Sequence, residues 1–411
     1  MGKRLGHTQV RDSRVDVWKL NVDIAIRPTL STAASICRDS SGRILHAESC
    51  ILPPIEPSEG EMHAVNLGLQ VASSLKLRHI IIEGDSLVVV EALSDSSPRR
   101  QSPHSPLPSE VLQLTKLDWL YNVSNCGIQG TTLAGIGNLR ELINLELADN
   151  NMIGEILEEI GNLVNLWQLE LYNNSFRGKL SVSLRNLAKL ENFDASMNYL
   201  EGDLSELRFS TNLVSLQLYE NNFTRQVPLE FGEFKKLVNL SLYTNGLTGP
   251  LPQKLGSWAK FFFIDASENF LSGPIPPDMC KQGTMEKLLL LENNLTGEIP
   301  ANYVNCSTLT RFRVSDNSLS GTVPAGIWGL PNVNIIDITS NNLEGTITSD
   351  INNAKSLWQL YVGNNRLGGE LPTEISGATS LLSIELNDNQ FSGNIPSSIG
   401  DLRAFLAGSL F

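Results

Sequence analysis

Residues 288–324, "LLLLENNLTGEIPANYVNCSTLTRFRVSDNSLSGTVP", contain one short signature twice. It reads "NNLTG" at Asn293 and "NSLSG" at Asn317, so the second copy follows the first after 24 residues. Each asparagine closes a run in which apolar side chains stand at the spacing L-x-x-L-x-x-L-x-L-x-x-N. The L-x-L part predicts a short strand, and the asparagine predicts the turn after it.

Outward from this stretch, the signature recurs through most of the chain. From Asn150 onward the spacing is 24 residues, except that it slips to 23 before Asn221, where Arg225 replaces the usual glycine. With a degenerate first copy there are 12 units, closed by Asn125, Asn150, Asn174, Asn198, Asn221, Asn245, Asn269, Asn293, Asn317, Asn341, Asn365 and Asn389. Repeats of this period cannot bury a core singly and must stack. We therefore predict a leucine-rich-repeat solenoid with a parallel sheet on its concave side, in which each asparagine amide bonds backbone groups of its own coil and the next.

The first hundred residues follow a different, α/β pattern. Residues 17–26 alternate as a strand does, and residues 31–52 predict two strands around a Ser-Gly turn. A helix with Ser58 as its N-cap follows, then an apolar strand at 79–85 and a short helix at 86–93. The predicted order is βββαβα.

A proline- and serine-rich stretch, "SDSSPRRQSPHSPLPS", separates the two patterns. Its composition is that of a linker rather than of a packed element. We therefore predict three parts: an N-terminal domain at 1–93, a linker at 94–109 and the solenoid at 110–411.

The charge of the chain disfavours a nucleic-acid partner for the solenoid. The 411 residues include 31 Lys+Arg and 44 Asp+Glu, and because residues 1–105 hold 12 of each, the whole net charge of −13 lies after residue 105. Such a field repels nucleic acid and suits a binder of proteins or peptides. The sequence opens without an apolar signal-peptide core, and no apolar run approaches the length that spans a bilayer. As written, the chain is expected to be cytoplasmic.

Three carboxylates in the N-terminal domain stand at element ends or on a strand: Asp23, Glu61 and Asp85. Carboxylates from separate elements can converge as oxygen ligands for Mg²⁺, and two such ions can activate water for phosphodiester cleavage. The alternative is that these side chains are helix caps or solvated surface charges, which is what most Asp and Glu residues at element ends are.

The motifs "KLNVDIA", "ICRDSSG", "EGEMHAV" and "IIEGDSLVVVEAL" within residues 18–93 resemble the ribonuclease-H-like domain of plant retroelement-derived proteins. The resemblance implies that Asp23, Glu61 and Asp85 are catalytic, Mg²⁺-binding carboxylates. The sequence departs from it at Ile24, where the family has glycine. It also enters the linker at Ser94, before the final strand and helix that carry the fourth acidic residue and a nearby histidine. We therefore expect an inactive remnant; the alternative is a Mg²⁺-dependent ribonuclease H acting on RNA/DNA hybrids.

The segments "LTGPLPQKLGSW", "LSGPIPPDMC" and "LTGEIPANYVNC" add a G-x-I/L-P insertion to the repeats. With it, residues 114–400 resemble plant extracellular leucine-rich-repeat receptor kinases of the HAESA and HAIKU type. The resemblance implies a location at the plasma membrane facing outward, a peptide or protein ligand on the concave face and a co-receptor. It implies no cofactor for the repeats, and no kinase domain is expected in this sequence.

Arg311 and Arg313 alternate with the apolar Phe312, so the strand points both toward solvent on the concave face. Neighbouring repeats are expected to add Phe263, Asp265, Leu289, Leu291 and Asp337 to the same surface. Two guanidinium groups can hold a carboxylate through charge-assisted bonds, and the resemblance implies that an Arg-x-Arg here clamps the free C-terminus of an extended peptide. The alternative is an arginine pair balanced across the sheet by Asp265 and Asp337.

Cysteines and sequons complete the candidate sites. Cys280 and Cys306 stand at nearly equal offsets on neighbouring coils, so a disulfide between them is geometrically allowed. Cys37, Cys50 and Cys126 are expected to be buried thiols. Six N-x-S/T sequons suit a secreted glycoprotein, although a chain rich in Asn, Ser and Thr yields about this number by chance: Asn122, Asn173, Asn222, Asn239, Asn294 and Asn305.

Overall fold

The computed structural model describes residues 134–402 and seven strands outside that range. These strands are β1 (Trp18–Arg27), β2 (Leu30–Arg38), β3 (Ile44–Leu52), β4 (His79–Glu83), β5 (Trp119–Tyr121), β6 (Gln129–Thr131) and β29 (Ala407–Ser409). Two compact units divide the chain, Met1–Asn151 and Met152–Phe411. The predicted boundaries at residues 93 and 109 stay predictions.

In the N-terminal unit, β2 is antiparallel to both β1 and β3, and β4 is parallel to β1. The four strands lie where the alternating and apolar patterns predicted them. The two predicted helices lie outside the described residues. The strand order 3-2-1-4, with one antiparallel member, agrees with the predicted α/β class.

Strand β4 has a partner on the side that does not pair with β1. Trp119–Tyr121, which the sequence assigned to the first repeat, pairs in parallel with β4, and its other side pairs with β7 (Asn144–Glu146). The sequence analysis, which ended this domain at residue 93, did not predict a strand at this edge. A repeat strand can take that position because a parallel ladder is made by backbone groups, which any short extended segment supplies.

The second unit is a solenoid of two parallel sheets, each with 11 strands among the described residues. The concave sheet consists of β9 (Gln168–Glu170), β11 (Asn192–Asp194), β13 (Ser215–Gln217), β15 (Asn239–Ser241), β17 (Phe263–Asp265), β19 (Lys287–Leu289), β21 (Arg311–Arg313), β23 (Ile335–Asp337), β25 (Gln359–Tyr361), β27 (Ser383–Glu385) and β29. The second sheet consists of β8 (Asn151–Gly154), β10 (Ser175–Lys179), β12 (Tyr199–Gly202), β14 (Asn222–Arg225), β16 (Gly246–Pro250), β18 (Phe270–Gly273), β20 (Asn294–Gly297), β22 (Ser318–Thr322), β24 (Asn342–Gly345), β26 (Arg366–Glu370) and β28 (Gln390–Ser392).

Short 3-10 helices return the chain from the second sheet to the concave sheet. Within the described residues they are Ala134–Asn138, Glu158–Asn162, Val182–Asn186, Ser205–Phe209, Leu229–Glu233, Ala301–Asn305, Ala325–Ile327, Ser349–Asn353, Thr373–Gly377 and Ser397–Asp401. The coils between β16 and β17 and between β18 and β19 have turns instead of such a helix.

The apolar positions of each unit form one continuous core. The middle residue of each strand from β17 to β23 is fully buried, while its two neighbours face the concave surface: Ile264, Leu288, Phe312 and Ile336. This alternation is the one that the L-x-L part of the repeat predicted.

A ladder of asparagines satisfies the turns after the concave strands. Asn269 is representative: its amide donates to the carbonyls of Ala266 and Ser267 in its own coil and of Leu242 in the preceding coil. Its Oδ1 accepts from the backbone N–H of Leu247, also in the preceding coil. From Asn174 to Asn389, each ladder asparagine bonds the preceding coil, not the following one as predicted.

Candidate functional site

The basic strand β21 lies between β19 and β23 of the concave sheet. In its parallel register, Arg311 stands beside Lys287, and Arg313 stands between Leu289 and Asp337. The three cationic side chains therefore lie on two adjacent strands, at the centre of an otherwise acidic solenoid.

The two arginines have different surroundings. Arg313 donates from Nε and Nη2 to Oδ2 of the buried Asp337, at 3.1 and 2.9 Å, and the Ser315 hydroxyl donates to the same oxygen at 3.1 Å. Arg311 is exposed, and within residues 134–402 its side chain forms no ion pair or hydrogen bond. Asp337 therefore balances Arg313, as the alternative interpretation expected, and leaves Arg311 available to a ligand.

The apolar and acidic neighbours lie where the repeat register placed them. Leu289 and Leu291 are half-buried, and the Nζ of Lys287 lies 5.9 Å from the centre of the Phe263 ring. Asp265 is half-buried beside Leu289 and accepts the backbone N–H of Ser267 at 3.2 Å. Burial raises the pKa of the Asp265 carboxyl, and nearby Glu268 raises it further.

A packed and cross-linked coil supports the basic strand from inside. The fully buried Phe312 meets the ring of Tyr303 edge-on, with ring centres 6.5 Å apart, and the Tyr303 hydroxyl donates to the Pro276 carbonyl at 2.6 Å. Cys280 and Cys306 form a disulfide with Cα atoms 5.5 Å apart, which ties the coil of β19 to the coil of β21.

Sequence reasoning missed an aromatic–acidic part of the concave face. The rings of Tyr219 and Tyr243 stack with centres 4.5 Å apart and planes 8° from parallel. The Tyr243 hydroxyl donates to Glu220, and Glu268 accepts the Thr244 hydroxyl at 2.7 Å. The signal was present: each tyrosine stands two residues before the ladder asparagine of its repeat, a position that faces the concave surface.

The remaining candidates lie apart from this site. Asp23 lies on β1, whereas Glu61 and Asp85 fall outside the described residues, so their predicted clustering stays a prediction. Within the residues described, no three His, Cys, Asp or Glu side chains form a group that could hold a metal ion. Nor does any helix of that part of the chain have the length and apolar character to cross a bilayer.

The sequons differ in exposure. Asn239 is half-buried on β15 of the concave sheet, and its acceptor Ser241 is buried. Asn122 falls outside the described residues. The other four are exposed: Asn173, Asn222, Asn294 and Asn305.

Two family models match the chain. The model described as reverse transcriptase-like matches residues 21–127, and the leucine-rich-repeat model matches residues 380–402. The N-terminal region is therefore ribonuclease-H-like, as its motifs indicated. A comparison with curated proteins gave no significant match.

Comparison with solved structures shows more specifically what the solenoid resembles. The Arabidopsis receptor kinase HAESA, in complex with the peptide hormone IDA and the co-receptor SERK1, is 38% identical with a TM-score of 0.71, over 73% of this chain and 50% of that one. Several of the solved structures that the solenoid resembles are ectodomains of plant receptors. They include the plant peptide hormone receptor RGFR1 in complex with RGF2, at 30% identity and TM-score 0.66 over 73% of this chain and 52% of that one.

A third neighbour of the receptor-like solenoid is the ectodomain of GASSHO1/SCHENGEN3 from Arabidopsis thaliana, in complex with CASPARIAN STRIP INTEGRITY FACTOR 2. It is 32% identical with a TM-score of 0.61, over 74% of this chain and 40% of that one. The chain therefore spans half or about half of the length of the receptors it resembles. The fold is that of peptide-hormone receptor ectodomains, which supports a ligand on the solenoid.

Proposed function

We propose that the concave face between Phe263 and Asp337 binds an extended peptide by its free C-terminal carboxylate, with Arg311 as the main contact. The observation that carries the proposal is the unpaired Arg311 on a strand whose other arginine is held in place by Asp337. An exposed guanidinium without a partner keeps its five donors for a ligand. Arg313 supplies the donors that Asp337 leaves unused.

The surroundings of Arg311 suit a peptide terminus. On the adjoining rung Lys287 stands beside Arg311 and half-buried Leu289 stands beside Arg313, so Leu289 and Leu291 would give a carboxylate held by the two arginines an apolar shelf on one side. Partial desolvation strengthens a charge-assisted hydrogen bond. Removing one side of a close charge pair in an interface costs about 2–5 kcal/mol, whereas an exposed, solvent-screened pair contributes only about 0–1 kcal/mol.

The test uses a library of synthetic peptides tethered by their N-termini, with each sequence present as a free acid and as a C-terminal amide. The intact chain should prefer the free acids, because an amide removes the charge that Arg311 contacts. Arg311→Ala should abolish this preference, and Arg313→Ala should reduce it. Arg366→Ala is the matched control, since Arg366 is also exposed but lies on β26 of the second sheet.

Equal binding of acids and amides by the unaltered protein would show that Arg311 is an ordinary surface charge and not a carboxylate-binding group. A preference that survives the double variant Arg311→Ala/Arg313→Ala would place the carboxylate elsewhere on the solenoid.

We further propose that the solenoid acts outside the cell, with a co-receptor completing the peptide site. Support comes from the ectodomain neighbours, from the HAESA complex that contains a co-receptor, and from the Cys280–Cys306 disulfide, a bond that persists in oxidising compartments. Detection of the bonded pair and of N-glycan on protein isolated from its native tissue would test the location. Reduced cysteines and bare sequons there would contradict it.

For the N-terminal region we propose a ribonuclease-H-like remnant without activity, because the sequence departs from the family at Ile24 and after Ser94. The purified chain should leave an RNA/DNA hybrid intact in Mg²⁺. Cleavage that disappears in Asp85→Asn would instead establish a Mg²⁺-dependent nuclease.

A further inference from the structure

Beside the proposed carboxylate site, the concave face has a gap between two large side chains. Tyr243, Ser267 and Leu291 occupy the same place in three consecutive repeats, and the backbone ladder continues through them. Adjacent rungs are about 4.8 Å apart, so Tyr243 and Leu291 face each other over about 10 Å with only the small Ser267 between them. We call this gap, with Asp265 and Glu268 at its sides, the acidic notch.

Acidic side chains border the notch without a cation of their own. Asp265 is half-buried, and Glu268 is exposed in the left-handed turn before Asn269, with φ of 54°. Within residues 134–402, neither carboxylate forms an ion pair, and the charge of Asp265 is balanced only at a distance by Arg313. The notch therefore carries uncompensated negative charge where the sheet is partly shielded from water.

Ser267 forms the floor of the notch, and the ring of Tyr243 forms one wall. Ser267 is 4% exposed, and its hydroxyl lies close enough to the Asp265 carboxylate to lower the pKa of that group, yet within residues 134–402 it forms no well-aligned hydrogen bond. Buried hydroxyls without a partner are uncommon in native proteins, and an unmet ligand is one explanation. Tyr243 stacks one ring face on Tyr219, which leaves its other face directed toward the Ser267 rung.

We propose that the acidic notch binds the cationic side chain of a peptide residue, with arginine preferred to lysine. A guanidinium plane can stack on the free face of Tyr243 while its N–H groups donate to Asp265 and Glu268. The inference rests on the proposed function for the position of that residue. The notch rung lies two rungs, about 10 Å, from the Arg311 rung, and an extended chain covers about 3.3 Å per residue. The cationic residue therefore stands about three places before the C-terminal residue.

The test moves one arginine along the last places of otherwise neutral tethered peptides, with citrulline as the uncharged shape control and glutamate as the charge reversal. The intact protein should bind free-acid peptides with arginine near the third upstream place about tenfold better than their citrulline copies, which is about 1.4 kcal/mol. Asp265→Asn and Glu268→Gln, which keep a hydrogen-bond acceptor, should remove this preference. Neither should remove the preference for a free C-terminus. Asp388→Asn, at the equivalent of the Glu268 position five repeats along, is the matched control.

The outcomes separate the two proposals. If the protein prefers free acids but shows no preference for arginine, or an arginine preference that does not depend on position, the proposed role of the acidic notch is contradicted and the carboxylate site is supported. Arginine selection that is lost in Asp265→Asn but is indifferent to the C-terminus would support the notch and overturn the carboxylate site. Selection of neither feature would overturn both.

Discussion

At the residue scale, Arg311 and Arg313 differ in one neighbour. Asp337 lies on the next strand at the place of Arg313, while Ile335 lies at the place of Arg311. One guanidinium is thereby fixed by two bonds to a buried carboxylate, and the other stays exposed. Two identical residues in one strand thus acquire separate roles, one positioned and one available to a ligand.

Asp265→Asn should raise the melting temperature at neutral pH. Burial raises the pKa of Asp265, so the native state holds its charged form less well than the unfolded chain does. The contribution of Asp265 to the free energy of unfolding is therefore most favourable at pH values below the ordinary Asp pKa, and it falls as the pH rises through the raised pKa. The neutral amide of the Asp265→Asn variant does not titrate and avoids this loss. Calorimetry across pH should show a gain for the variant at neutral pH and none in acid. A gain of the same size at both ends would contradict the assignment.

Arg225→Gly should stabilise the solenoid by about 1 kcal/mol, because a non-glycine residue in the left-handed region costs about 1–2 kcal/mol and glycine offsets part of this through its entropy. Arg225 has φ of 67° at the place where other repeats have glycine. Denaturant unfolding measures the difference. Gly249→Ala is the converse control, because Gly249 has φ of 71°. An added Cβ would meet only ordinary contacts with Gln226 at 3.4–3.5 Å, so any loss of stability in this variant would measure backbone strain alone. Opposite signs are expected for the two changes.

At the element scale, two of the four coils that lead into the proposed ligand face are irregular. The coils leading to β17 and β19 have turns where most described coils have a 3-10 helix. The disulfide joins Cys280, in the second of these turns, to Cys306 at the end of the regular helix Ala301–Asn305. A covalent link thus replaces helix-to-helix packing where that packing is interrupted.

Reduction of the disulfide should destabilise this region. The sequence separation of 26 residues corresponds to about 3.5 kcal/mol in the chain-entropy description of cross-links. Hydrogen exchange with and without reductant should show faster exchange in residues 277–306, with little change in residues 349–377. Unchanged protection near Cys280 would show that the coil is held by its packing alone.

At the scale of the whole molecule, the chain combines a ribonuclease-H-like N-terminal region with an acidic receptor-like solenoid. The entire net charge of −13 lies after residue 105, and a field of that sign raises the local concentration of cationic ligands. Under the proposed function, Arg311 would contact the C-terminal carboxylate of such a ligand, while the surrounding negative field would attract its cationic side chains.

Association of an arginine-containing free-acid peptide should therefore slow at high salt. Screening shortens the reach of the field to about 3 Å at 1 M from about 30 Å at 0.01 M, and electrostatic steering changes association rates by about tenfold or more. Stopped-flow measurements would follow the rate constant against salt, with the citrulline peptide as the control that should respond less. Equal salt dependence for both peptides would exclude steering by the solenoid's charge.

The sequence by itself determined the repeat register, and with it the core and the concave face. Asn293 and Asn317 mark equivalent points of successive coils, so every residue has a known place on its coil once the asparagine is located. The sidedness of Arg311 and Leu289 followed from strand alternation, which is a local property of the backbone. The four N-terminal strands followed from local alternation in the same way.

Only the tertiary structure decided which side chains interact across rungs. The Arg313–Asp337 pair, the Tyr219–Tyr243 stack and the burial of Asp265 depend on contacts between residues about one repeat apart. Register brings such residues to neighbouring rungs, but rotamers and competing partners settle whether they bond. The sequence could not predict the pairing of β5 with β4 either, because a parallel ladder needs only two free backbone edges and requires no particular pattern of side chains.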